Sequence, residues 1–108
     1  MIARIWRGET RAEHADAYLA YLEQTGLPGY AATPGNRGVR VLRRVHDGRA
    51  EFVLVTFWDS EDAIRAFAGP DIEAAVYYPE DDAYLLHKEP TVAHFDLAWS
   101  HDGLPAPA

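Results

Sequence analysis

Residues 51–58, Glu-Phe-Val-Leu-Val-Thr-Phe-Trp, place Phe52, Leu54, Thr56 and Trp58 on one face of a strand and Val53, Val55 and Phe57 on the other. A strand with one wet face alternates apolar with polar, whereas this one is apolar on both and needs cover on both. Helices of the chain supply one cover, and in so short a chain a partner subunit is the natural second. The strand runs straight into Asp59-Ser60, an N-cap pair, and then a helix with Ala63, Ile64, Phe67 and Ala68 as its apolar stripe. Gly69-Pro70 breaks that helix.

The remaining pattern extends the same logic. Residues 2–7 alternate as a strand, Ile2, Arg4 and Trp6 opposing Ala3, Ile5 and Arg7, with Gly8 as its end. Thr10 and Glu13 have the spacing of a capping box for a helix running to about Thr25, with Ala12, Ala15, Leu19 and Leu22 on one stripe. Gly26 is a terminator and Pro28-Gly29 bars continuation, so residues 27–38 read as a connection. Strands follow at 38–46 and 50–58, joined by Asp47-Gly48, a strong hairpin signal. Asp71–Val76 suits a further turn or two, Pro79 with three following acids suits a short helix start, and residues 91–99 form a last strand. The order βαββαβ, with an extra helical segment before the last strand, predicts a ferredoxin-like α+β domain with helices on one face of an antiparallel sheet. The domain spans residues 1–99, and residues 100–108 read as a frayed tail.

Composition narrows the function classes. The 108 residues are 48% apolar and 25% charged, which fits one folded domain. No cysteine is present, which removes disulfides, thiolate metal sites and a cysteine nucleophile. A net charge of −7 argues against nucleic-acid and anionic-membrane partners. No apolar run approaches the roughly 20 residues of a membrane span, and the N-terminus does not read as a signal peptide, so the cytoplasm is the expected location.

Several segments together resemble the small stand-alone proteins of the antibiotic biosynthesis monooxygenase type. They are R-x-W-R-G near the start, G-N-R-G-V-x-V-L-R-R, E-F-x-x-x-x-F-W-D-S-x-x-A-I-R-A-F-A-G, and E-x-x-V-x-H-F. The resemblance covers about residues 1–98 and implies a dimeric α+β barrel, a homodimer whose sheets pack face to face. It also implies a ligand cavity in each subunit between helices and sheet. Such relatives include oxygenases of polyphenolic or polyketide substrates that use no cofactor, haem-degrading proteins, and related barrels that cyclise polyketides. The haem-degrading branch uses an Asn in the first strand and a Trp and an iron-binding His in the second helical region. The corresponding positions here are Trp6, Phe67 and Tyr77. None matches, so haem degradation is disfavoured, while binding of ferric haem through Tyr77 stays open.

Candidate chemistry rests on few residues. His94 lies mid-strand with Asp96 on the same face, so it reads as a general base or as a hydrogen-bonded wall residue. Arg4 sits on a strand expected to be central, and if buried it needs an acidic partner or a ligand. Trp6, Tyr21, Phe67, Tyr77, Tyr78 and His87 are the candidate substrate-binding residues of a flat, largely apolar pocket for a small aromatic molecule. Arg37, Arg40, Arg43 and Arg44 either steer an anion or protect a sheet edge, with Glu51 a candidate partner. No His-x-x-x-His or Glu-x-x-His pair exists, so no metal centre and no cofactor is expected. The expected function is a cofactor-independent monooxygenase; the competing readings are a non-catalytic binding protein and an acid–base cyclase or lyase.

Overall fold

A computed structural model describes residues 1–105. A five-stranded antiparallel sheet carries the chain: β1 (Ile2–Arg11), β2 (Asn36–His46), β3 (Arg49–Trp58), β4 (Leu85–His87) and β5 (Ala93–Asp96). The order is β2-β3-β1-β4, with β5 also on β1. β1 is therefore central, and its outer neighbour is split: β4 pairs Glu9 and Thr10, and β5 pairs Ile2–Ile5. Helices α1 (Ala15–Gln24), α2 (Gly26–Ala32), α3 (Glu61–Ala68) and α4 (Asp81–Tyr84) complete the ferredoxin-like α+β fold.

The two faces of β3 are covered unequally. Ala50, Phe52, Leu54, Thr56 and Trp58 are buried beneath the helices. Glu51, Val53, Val55 and Phe57, on the other side, are half-buried. Register aligns Arg4, Trp6 and Thr10 with the buried set, and Ala3, Ile5 and Arg7 with the open set.

Local chemistry explains where the elements depart from expectation. Gly8 does not end β1, which continues to Arg11. The Trp6 indole lies across Gly8, and a Cβ there would meet Trp6 Cη2 at 2.2 Å, so this glycine is a close-approach residue and not a stop. Thr10 is consequently in the strand, and its hydroxyl donates to the Arg11 carbonyl at 2.9 Å, so the capping box does not form. A single 3₁₀ turn, Ala12–His14, leads into α1 instead.

The 27–38 connection is largely the helix α2. Thr25 breaks α1, its hydroxyl donating to the Tyr21 carbonyl at 2.8 Å. Gly26 opens a new helix, and Pro28 falls in the first turn, where an amide hydrogen has no helical acceptor. Asp47 (φ 50°) and Gly48 (φ 75°) make the expected two-residue hairpin with both residues left-handed. The Ser60 hydroxyl caps α3 by accepting from Ala63 N at 3.2 Å. Asp71 Oδ1 accepts from Glu73 N at 3.0 Å, giving a turn in place of a helix, and Ala74 then bridges Thr91. The last strand shortens to Ala93–Asp96, and β4 is an element the sequence pattern did not show. Residues 97–105 carry no regular structure; 106–108, the end of the expected tail, lie outside the described residues.

Candidate functional site

The site is built on the covered face of β1. Arg4 is 1% exposed. Its Nη2 donates to the Ala74 carbonyl at 2.8 Å, and its Nε is buried without a hydrogen-bond partner. Its guanidinium carbon stands 5.7 Å from the centre of the Phe67 ring. Burial draws the Arg4 pKa down, and Tyr30, from α2, is the side chain that most offsets this. No carboxylate pairs with Arg4 among the described residues. A buried charge without an opposite charge is costly, because solvent is lost and nothing replaces it.

His94 sits directly across from Arg4 in the β1–β5 register. Its Nε2 is also buried without a partner. Burial lowers the His94 pKa, and the Arg4 charge lowers it further, against weaker opposing effects of Glu73 and Glu61. The imidazole is thus held neutral near pH 7, a base with a free nitrogen. Asp96 does not orient it: that side chain is exposed, and none of the hydrogen bonds at this end of the sheet joins the two residues.

Between helices and sheet lies a small cavity lined by Trp6, Tyr18, Leu22, Gly26, Tyr30, Leu54, Val76, Tyr78 and Asp81. Its free volume is about 20 Å³, room for one water and not for an aromatic ring. The expected aromatic lining exists, and its own rings fill the space. Tyr30 stacks on Phe67 at 4.4 Å between centroids. Trp6 Nε1 donates to the Tyr77 hydroxyl at 3.3 Å, which in turn donates to the Glu89 carbonyl at 2.5 Å. The Tyr21 hydroxyl accepts from Glu80 N at 3.2 Å.

Of the candidate binding residues, Trp6 and Tyr78 border the cavity directly. Phe67 borders Arg4, Tyr77 closes the Trp6 side, and Tyr21 flanks Tyr18. His87 does not join them. It lies on β4 and not on a helix, opposite Glu9 on the open face, 3.4 Å from Glu89. There it lines a broad surface groove of about 560 Å³ with Arg7, Glu9, Arg49 and Glu51. The four arginines at β2 are all paired: Arg37 with Asp59 at 2.8 Å, Arg43 with Asp16 at 2.8 Å, Arg44 with Glu51 at 2.7 Å and Arg40 with Asp102 at 3.6 Å. β2 is an edge strand, so the protective reading of these charges is the one the pairing supports.

Asp81 escaped the sequence reading, which assigned Glu80, Asp81 and Asp82 alike to a short helix start whose dipole favours acids. It is 3% exposed. Its Oδ1 accepts from the Tyr18 hydroxyl at 3.0 Å and its Oδ2 from Tyr78 N at 2.6 Å. Burial, joined by the Asp81 charge, pushes the Tyr18 and Tyr78 phenols up. A usable signal was Tyr84, three residues on, which packs against the core and puts Asp81 on the same inward face of this short helix.

The model of the antibiotic biosynthesis monooxygenase family matches residues 1–75. The chain belongs to the antibiotic biosynthesis monooxygenase family. A search of curated proteins returns no match. Among solved structures, the family fold is shared with a crystal structure of an MhuD mutant with two manganese protoporphyrin IX molecules bound per active site. That likeness has 22% identity and a TM-score of 0.60, covering 95% of this chain and 100% of the other. The expectation against haem degradation gains no support from this neighbour. As for fit, Tyr77, the one candidate iron ligand from the family pattern, already uses its oxygen on Trp6 and Glu89. No helix of the described residues in this family member is long and apolar enough to cross a membrane.

Proposed function

We propose that this family member is a homodimer that binds a small, electron-rich aromatic or polyketide-like molecule between its helices and sheet and oxidises it with molecular oxygen without a cofactor. The observation that carries the reading is Arg4: a fully buried cation, next to Tyr30 of the aromatic cavity, that no acid among the described residues neutralises. Such a cation is suited to an anion that forms during reaction.

His94 supplies the base. Its neutral imidazole takes a proton from an activated methylene or phenol of the substrate, and Arg4 holds the resulting anion. The anion gives one electron to oxygen, and radical recombination forms a C–O bond and a peroxide. Protonation by the imidazolium and loss of water leave a carbonyl, so that a methylene and one O₂ become a ketone and one H₂O. Trp6, Phe67, Tyr77, Tyr78 and, behind Tyr18, Tyr21 fix the ring plane and keep water out. The closed cavity requires Tyr77 and Tyr78 to swing aside for the ligand, and they sit on the irregular stretch between α3 and α4. The open sheet face, with Ile5, Val53, Val55 and Phe57, supports the dimer.

The test follows oxygen uptake with anthrone as the probe, with product mass read after turnover in ¹⁸O₂. Uptake of one O₂ per product, one labelled oxygen in the product, and loss of at least about tenfold in rate in His94→Gln are the expected results. Turnover that persists without oxygen points to acid–base cyclisation, and binding without turnover points to the binding-protein reading. Either result removes the oxygenase.

A further inference from the structure

Two buried nitrogen atoms are unbonded, and they belong to residues paired across neighbouring strands, one of which, Arg4, adjoins Tyr30 of the cavity wall. Arg4 Nε and His94 Nε2 share this state, and Asn36 Nδ2 is the remaining case among the described residues. Directly opposed residues on one face of an antiparallel pair hold their Cβ atoms about 4.5–5.5 Å apart, so a single bound group can reach both. Buried polar groups are hydrogen-bonded in native proteins as a rule, and this pair lacks a group that accepts from Arg4 Nε and, once the imidazole is protonated, from His94 Nε2.

The missing acceptor has a definable chemistry. Arginine is a donor only and carries a charge in every accessible state. The groups already around it are the Phe67 ring face, the Tyr30 ring stacked on Phe67, and the Ala74 carbonyl, which takes one of its other hydrogens. The two rings are flat, and the Ala74 carbonyl and the Tyr30 hydroxyl are the polar groups beside them. We infer that Arg4 and His94 form a subsite for a planar oxyanion, the carboxylate or ionised vinylogous acid of an aromatic ligand, and that His94 takes up a proton as the anion binds. This rests on the reading of the cavity as the ligand site and names the substrate class it takes.

Proton uptake follows from the charges around His94. It faces Arg4 from β1, Glu61 of α3 and Glu73 from the segment after α3, and Asp96 shares its strand. With no anion bound, burial and the Arg4 charge hold His94 neutral, below the ordinary histidine value. An anion between the two cancels the Arg4 effect and gives the imidazolium a partner, so the His94 pKa rises on binding. The bound state then holds more protons than the free state between the two pKa values. By linkage, affinity for an anion that stays ionised must increase as pH falls through that window.

The test uses benzoate and 2-hydroxy-1,4-naphthoquinone as the acids, and benzamide and 1,4-naphthoquinone as their neutral counterparts. Each is titrated into the intact wild-type protein at pH 8 and pH 5.5 by calorimetry, with His94 followed by NMR. The expected result is that at least one acid binds about tenfold or more tighter than its neutral counterpart. Its affinity rises toward pH 5.5, and the His94 titration moves upward in the complex. His94→Gln removes the pH dependence while leaving the preference for the acid, since Arg4 remains. Which acid binds tighter tells a ligand carboxylate from an ionised enol. Equal affinity for acid and neutral compound, or a His94 titration unmoved by a bound acid, overturns the inference. Neither result depends on oxygen uptake, so this subsite fails or stands separately from the oxygenase reading.

Discussion

Asp81 shows how much one buried carboxylate can organise. It accepts from Tyr18 and from the backbone of Tyr78, and so ties α4 to α1 and to the segment that covers the cavity. Asp81→Ala leaves the buried Tyr18 hydroxyl and the Tyr78 amide without acceptors, and should cost about 2–4 kcal/mol in urea denaturation. Tyr18→Phe removes donor and demand together and should cost about 1 kcal/mol. Equal losses in the two variants would mean that the network does not hold the segment. Tyr30 offers a second check. Burial pushes its phenol up to about 12, so the folded state keeps a proton that the unfolded chain loses above about pH 10. The folded state then binds more protons, so stability falls as pH rises through 10 toward 12, by at most about 2–3 kcal/mol from this group. Tyr30→Phe should flatten part of that alkaline loss in a pH series of melting temperatures; an unchanged slope would place Tyr30 in contact with water.

Elements were legible where their signal is local and was obscured where a distant side chain decides. The Asp47-Gly48 hairpin, the Ser60 cap and both faces of β3 are written in consecutive residues, and each is present. Gly8 is the counter-example. Taken alone it reads as a terminator, but the indole two residues before it requires a hydrogen in place of a side chain. β1 therefore runs four residues past the expected end at Arg7, and the apparent capping box is absorbed into the strand. α2 was obscured in the same manner, since Gly and Pro read as breakers until a new helix start gives Pro28 a tolerated position. The Arg4–His94 pairing was invisible for a third reason: register between the first and last strands is set by the whole sheet, and no spacing along the chain encodes it. Gly8→Val tests the close approach. The added side chain displaces Trp6 from its place on the sheet, breaks its hydrogen bond to Tyr77, and should cost about 1–3 kcal/mol. Trp6 fluorescence should shift toward that of a wetter indole, and a variant with native stability and an unshifted spectrum would contradict the packing.

At the scale of the molecule, the unequal cover of β3 leaves an apolar surface with no occupant among the described residues. Ala3, Ile5, Val55 and Phe57 lie on it in register, Leu42 (53% exposed) and Phe95 (56% exposed) extend it, and the charged pairs Arg44–Glu51 and Arg49–Glu9 border one end. A charged border beside an apolar centre is the usual build of a protein interface. Val55→Asp probes the proposed homodimer at its centre. Val55 is opposed by Arg40 on β2, whose own ion pair with Asp102 is long at 3.6 Å. In a monomer the new carboxylate therefore has a cation across the strand and solvent above it, and folding should change by no more than about 1 kcal/mol. In a face-to-face dimer the introduced carboxylates of both protomers would be driven into an apolar contact, which is costly without mutual partners. Light scattering after size exclusion should thus find wild type at twice the mass of one chain and Val55→Asp at one, with matching circular dichroism. A wild-type monomer at micromolar concentration would leave the second face of β3 without a reason to be apolar, and a variant that unfolds instead of dissociating would show that the face is needed for the fold before any partner arrives.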